Sequence, residues 1–203
     1  MPKMNKRDLI LDTTEELMCQ TDNDFSVDTI AKKAGIGKGS IYYYFNSKEE
    51  IIDAVIERSY SNAIQEFFAD VYNQSNALLK IKTLFRSVIK QEFNNSRKNI
   101  LTAFHVHDNL LLHTKMMIIS IKTISPILTK LLSEGVEDGS IHTDTPQESA
   151  EMIVAMLTFL LDNSFFPADN ESLYRKLKLY ANVLETCLQT EKGSFDFLFT
   201  LED

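Results

Sequence analysis

The chain is poor in the residues that would build a disulfide framework or a metal site. Its two cysteines, Cys19 and Cys187, lie far apart and match no ligand spacing, so a reducing cytoplasm is the expected setting. Long apolar runs are also missing. The opening MPKMNKRDLILD is charged rather than signal-like, and apolar stretches such as MIVAMLTFLLD are too short to span a bilayer, so no membrane partner is expected. There is no low-complexity linker, no internal repeat and no sustained strand alternation. Neither a glycine-rich nucleotide loop, a Ser/His/Asp set nor an HExxH pair occurs, which argues against an enzyme and leaves no cofactor to name.

What the chain has is an ordinary globular composition, 44% hydrophobic and 25% charged, over 203 residues, enough to bury a core in one or two domains. The net charge of −8 is unevenly placed. Residues 1–48 balance seven Lys/Arg against seven Asp/Glu, whereas residues 49–203 hold 14 against 22. Within 29–48 stand Lys32, Lys33, Lys38 and Lys48 and no acid. Screening lets such a local strip meet phosphates despite the distant excess of acid, although a solvated lysine face has the same composition.

Apolar side chains recur at helical spacing almost throughout. The spacing predicts helices over 5–20, 26–33, 38–44, 47–72, 75–93, 97–107, 109–138, 146–164 and 170–190. Ser26 is placed to cap the second, Ser47 with Glu50 to form a capping box on the fourth, and Thr145 to cap the helix that begins at Pro146. Pro126 should kink or split the 109–138 segment. The tail GSFDFLFTLED holds three phenylalanines that should dock on the body. The fold class is all-α.

Residues 34–45, AGIGKGSIYYYF, carry the chemistry. A helix turns about 100° per residue, so Tyr42, Tyr43 and Tyr44 point three ways and cannot share one buried face. Ala31 is small where two crossing helices would meet, Gly35 suits a tight turn, and Ile41 would plug the second helix onto the first. Ile30, Ala34, Ile36 and Phe45 fill the remaining inward positions. That order is a helix-turn-helix, with the KGSIYYYF helix set to enter a major groove. Phenol rings pack on the sugar-phosphate chain and their hydroxyls donate to phosphate, Gly37 and Gly39 allow close backbone approach, and Lys38 and Lys48 add charge. The alternative is an aromatic surface that contacts protein.

The segment FSVDTIAKKAGIGKGSIYYYFNSKEEII resembles the DNA-binding region of the TetR family of transcriptional regulators, whose pattern runs IA-x-x-AG, then V/I-S-K-G-T/S-L/I-Y-x-x-F, then S-K-E-x-L. The likeness spans about residues 6–58, and SPILTKLLSEGVEDGSIHTDTPQESAE is similar to the C-terminal halves of some members. It implies a three-helix DNA-binding domain over 1–48 and a helical ligand-binding and dimerisation domain over 49–203. Gly37, Lys38, Gly39, Ser40, Tyr42, Tyr43, Tyr44 and Lys48 would face double-stranded DNA, with Ser26 capping near the backbone. Gly37 departs from the family's usual serine or threonine and Tyr44 from a common histidine, while Tyr43 occupies a variable position, so the operator sequence does not transfer.

The resemblance further implies a repressor that binds a palindromic operator as a homodimer and is released by a small, largely apolar effector. The helices at 146–164 and 170–190 would pair the subunits. Met152, Ile153, Met156, Leu157, Leu160 and Leu161 form one apolar stripe, and Leu173, Leu177, Tyr180, Leu184 and Leu188 a second, although both patterns equally suit burial within one subunit. Phe85, Phe93, Phe104, His105, His113, Met116, Met117, Met156 and Phe159 are candidate ligand-lining residues, each also at home in an ordinary core. His105, His107 and His113 fall close together beside Asp108. They leave open a metal-responsive regulator, a hydrogen bond to an effector, or purely structural histidines. A helical protein-binding module is the remaining alternative.

Overall fold

The computed structural model describes residues 5–20, 24–93 and 110–200. Among these residues the chain forms eight α-helices and one 3-10 turn, and no strand. They are α1 (Lys6–Gln20), α2 (Val27–Ala34), α3 (Lys38–Tyr42), α4 (Lys48–Tyr72), α5 (Ala77–Phe93), α6 (Leu110–Glu137), α7 (Pro146–Leu161), α8 (Asn170–Cys187) and the turn Asp196–Leu198. The helix anticipated over 97–107 lies outside the described residues. The chain is divided into two compact units, with α4 passing from one to the other after Asn62 and α6 after Ile119.

The first unit holds α1–α3, the start of α4 and the start of α6. Ile10, Leu11, Ile30, Ile41, Phe45, Ile51, Val55 and Ile56 are almost completely buried in it. Two threonines share that interior without cost, because the Thr13 and Thr14 hydroxyls donate to the Leu9 and Ile10 carbonyls at 2.8 Å. Arg58 on α4 reaches back to α1, with one guanidinium nitrogen 2.7 Å from Asp12 and another 2.7 Å from Glu15. Lys115 on α6 pairs with Asp53 on α4 at 2.7 Å.

The second unit packs α5, α7, α8 and the rest of α4 and α6 around Phe85, Leu128, Leu131, Leu132, Leu157 and Leu184. Tyr180 is buried there and donates to the Ile153 carbonyl at 2.8 Å, tying α8 to α7. Burial pushes its phenol pKa well above the ordinary value. The C-terminal phenylalanines do dock: Phe195 and Phe197 enter this core and Phe199 packs against it. The Glu185 carboxylate holds their turn by accepting from the Gly193 and Phe195 amides at 2.8 and 3.2 Å.

Of the two outcomes expected at Pro126, the split does not occur: helix α6 runs on through it, and Pro126 is exposed. The same helix corrects the expectation that every apolar stretch is too short. His113–Glu137 spans 25 residues and contains an 18-residue window of mean hydropathy 1.4, enough by length and composition to cross a bilayer. Its Leu128, Leu131 and Leu132 are instead fully buried among the second unit's other helices. Thr145 does stand at the N-cap of α7 but makes no side-chain bond to it. The neighbouring Thr143 hydroxyl accepts from the Thr145 amide at 3.2 Å.

Candidate nucleic-acid interface

The turn between α2 and α3 follows from Gly35. At φ 66° and ψ 30° it occupies the left-handed region, which a side chain disfavours by about 1–2 kcal/mol. Its amide donates to the Lys32 carbonyl at 3.3 Å and the Ile36 amide to the Ala31 carbonyl at 3.0 Å. This paired closure is a Schellman motif. At the other end of α2, Ser26 accepts from the Thr29 amide at 3.1 Å while Thr29 accepts from the Ser26 amide at 3.3 Å, a reciprocal capping box. A helix of eight residues is thus bounded at both ends, and Ile30 and Ala31 anchor it in the core.

Helix α3 is one short turn, Lys38–Tyr42, and its two aliphatic and aromatic anchors face inward: Ile41 and Phe45 are buried. The tyrosines between them divide as their angular spread requires. Tyr42 is 50% exposed and Tyr43 79%, whereas Tyr44 is half-buried and meets the Tyr43 ring edge-on at 4.9 Å between centroids. Ser26, Gly37, Lys38 and Gly39 are exposed and Ser40 is half-buried. A Cβ placed on Gly37 or Gly39 would meet nothing within 4 Å, so the fold itself has room for a side chain at both. Ala34 and Ile36, expected inside, are only half-buried.

The basic strip is not a row of solvated ammonium groups. Lys38 pairs with Asp28 at 2.7 Å, and this hydrogen bond holds its pKa above the usual lysine range. Lys33 bridges to Glu16 and to the Gln20 amide oxygen, both at 3.0 Å, and its hydrogen bond lowers the Glu16 pKa. Lys48 is half-buried, with its ammonium 4.3 Å from the centre of the Phe25 ring. Behind it, Ser47 accepts from the Glu50 amide at 3.1 Å, and Glu50 accepts from the Asn46 amide at 2.6 Å, fixing the start of α4. The acid-free run 29–48 is bounded by Asp28, which sits on the first turn of α2 and pairs with Lys38 at the start of α3. Arg7, 5.4 Å from the Phe45 ring centre, is a further basic group that local spacing did not single out.

The residues read as ligand-lining fall in separate settings. Met116 and Met117 are buried in the first unit, where His113 is half-buried. Phe85 is buried in the core of the second. Met156 and Phe159 are instead 41% and 40% exposed on α7, beside Met152 at 68%. Phe104, His105 and His107 lie outside the described residues, and so does the side chain of Phe93.

Two helices joined by a glycine turn, the second displaying uncovered tyrosines beside lysines, define a helix-turn-helix DNA-binding protein. The family description "Bacterial regulatory proteins, tetR family" matches residues 10–55, and "Tetracyclin repressor-like, C-terminal domain" matches residues 91–183. The chain belongs to the TetR family of helix-turn-helix transcriptional regulators, a family of regulators rather than enzymes. It is 27% identical over 134 residues to the fatty acid metabolism regulator protein of Bacillus subtilis (strain 168), covering 65% of this chain and 69% of that one. The fold is shared with FadR from Bacillus subtilis, solved in complex with stearoyl-CoA (TM-score 0.56, 23% identity, 91% of this chain and 98% of that chain). It is also shared with SmeT, the repressor of the Stenotrophomonas maltophilia multidrug efflux pump SmeDEF (TM-score 0.59, 17% identity, 94% of this chain and 93% of that chain).

Proposed function

We propose that this chain is a cytoplasmic repressor that binds a palindromic operator as a homodimer and leaves it when a small, largely apolar effector binds. Residues 1–48 form the reading head, with Gly37, Lys38, Gly39, Ser40, Tyr42, Tyr43, Tyr44 and Lys48 toward DNA and Ser26 fixing the first helix of the motif. Residues 49–203 receive the effector and pair the subunits. The observation that carries the reading is the sorting of α3: Ile41 and Phe45 go inside while Tyr42 and Tyr43 stand uncovered. Rings in that position pack on the sugar-phosphate chain, and their hydroxyls donate to phosphate oxygens.

The effector class is supported by the relatives. One is a fatty acid metabolism regulator and one was solved with stearoyl-CoA, so a long-chain acyl thioester is the first ligand to try. Release follows from population shift. An effector that prefers a dimer with its two recognition helices wrongly spaced for successive half-sites draws protein off DNA by its differential affinity for the two states. The test is a footprint on the DNA upstream of the chain's own gene, repeated across a stearoyl-CoA titration. Protection of an inverted repeat that fades with ligand supports the proposal. Protection of a non-repeated sequence overturns the dimeric operator, and protection indifferent to acyl thioesters overturns this effector class.

A further inference from the structure

The Lys38 ammonium already holds an anion. Its partner, Asp28 Oδ2 at 2.7 Å, is a surface carboxylate on the first turn of α2, and Lys38 opens α3. A carboxylate oxygen and a phosphate oxygen ask the same of an ammonium: one short, charge-assisted hydrogen bond. With both side chains exposed, the pair is inexpensive to open. Resting on the reading of Lys38 as a phosphate ligand, we propose that Asp28 stands in for DNA. It occupies the Lys38 ammonium in the free protein and is displaced by a backbone phosphate when the duplex docks.

The consequence is specific. Phosphate contacts strengthen binding to every sequence alike and carry no base information. Asp28 therefore lowers affinity for operator and random duplex by the same factor and leaves their ratio untouched. It weakens residence at every site alike, without a role in choosing the right one. Two other roles are physically distinct. An Asp28 that stays bound and orients Lys38 toward the phosphate would help binding. A carboxylate that merely repels the duplex would oppose it whether or not Lys38 is present.

The experiment is a double-mutant cycle on the full chain with D28N and K38M, titrated by fluorescence anisotropy against the upstream duplex and a random duplex of equal length at several salt concentrations. D28N should tighten both duplexes by about 2- to 5-fold for each head that docks, the range of an exposed ion pair, with an unchanged slope of log K against log salt. K38M alone should lower that slope by about 0.9 for each head that docks, about 1.8 for the dimer on its operator. In the K38M background the gain from D28N should disappear. Weakened or unchanged binding by D28N overturns the proposal, as does a gain that persists undiminished without Lys38. If K38M leaves the wild-type affinity and slope unchanged, the phosphate role of Lys38 itself has failed, a result separable from a failure of Asp28 alone. Asp28→Ser replaces D28N should the latter lower the melting temperature.

Discussion

Tyr42 and Tyr44 are chemically identical and differ only in what surrounds them, half-exposed on a ridge in one case and half-buried against Tyr43 in the other. Tyr42→Phe keeps the ring and removes the hydroxyl. A hydrogen bond to a charged phosphate is worth about 1.5–3 kcal/mol, so duplex affinity should drop by about ten-fold or more at an unchanged melting temperature. Anisotropy titration and thermal circular dichroism measure the two, and a lowered melting temperature would show that the hydroxyl serves the fold instead. Gly135 is the opposite kind of residue, required by packing rather than by function. A Cβ there would stand 2.5 Å from Ile141 Cδ1 and 2.9 Å from Cγ1, and Ile141 is itself buried and tied by its amide to the Gly135 carbonyl at 2.9 Å. Gly135→Ala should cost about 1–3 kcal/mol, read by denaturant unfolding. Trimming the neighbour with Ile141→Val should recover part of that loss, whereas additive losses would exclude the clash.

Helix α2 is short enough that its ends decide whether it forms. Ser26→Ala removes one half of the capping box and should lower stability by about 1 kcal/mol, while Ser26→Gly costs only a few tenths. A calorimetric ranking that placed glycine below alanine would mean that the hydroxyl does not cap. This cap was legible in the sequence because it needs only a serine one residue before a helical period. At Thr145 the same logic found the cap position but not its bonding: the Thr145 side chain makes no bond to the helix, and the Thr145 amide donates to the Thr143 hydroxyl. The docking of the tail phenylalanines was equally legible from their apolarity, yet the Glu185 carboxylate that receives the Gly193 and Phe195 amides was not. Burial of a charge depends on partners that sequence spacing does not place. The Asp28–Lys38 pair failed to show for a related reason: ten residues separate the two, and only the left-handed turn at Gly35 brings them together. Helix α7 marks a different limit. It is apolar on more than one face, so periodicity found its helix but did not tell that Ile153 and Leu157 point into the core while Met152, Met156 and Phe159 point out.

At the scale of the whole molecule the excess charge of −8 resides in residues 49–203 while residues 1–48 are neutral, so in the proposed complex DNA affinity rests on a short lysine strip rather than on the protein's field. A single small head makes few phosphate contacts, and a palindrome read by two heads together gains by effective concentration. Pairing needs an apolar surface that one chain leaves uncovered. Met152, Met156 and Phe159 recur at i, i+4 and i+7 along α7, and Leu179 on α8 is 65% exposed. In a soluble single chain such a stripe is exposed at a cost, and covering it with the same stripe of a second copy satisfies two-fold symmetry with no further partner. Met156→Glu places a charge on that stripe at a position already open to solvent, so it should spare the fold of each subunit while setting like charges against each other across the two-fold. Sedimentation at micromolar concentration should show a dimer for the unaltered protein and a monomer for the variant. Affinity for an inverted repeat should fall by about 100-fold or more, toward that for a single half-site, with half-site affinity unchanged. A variant that remains dimeric and binds the repeat at full strength would place the subunit contact elsewhere.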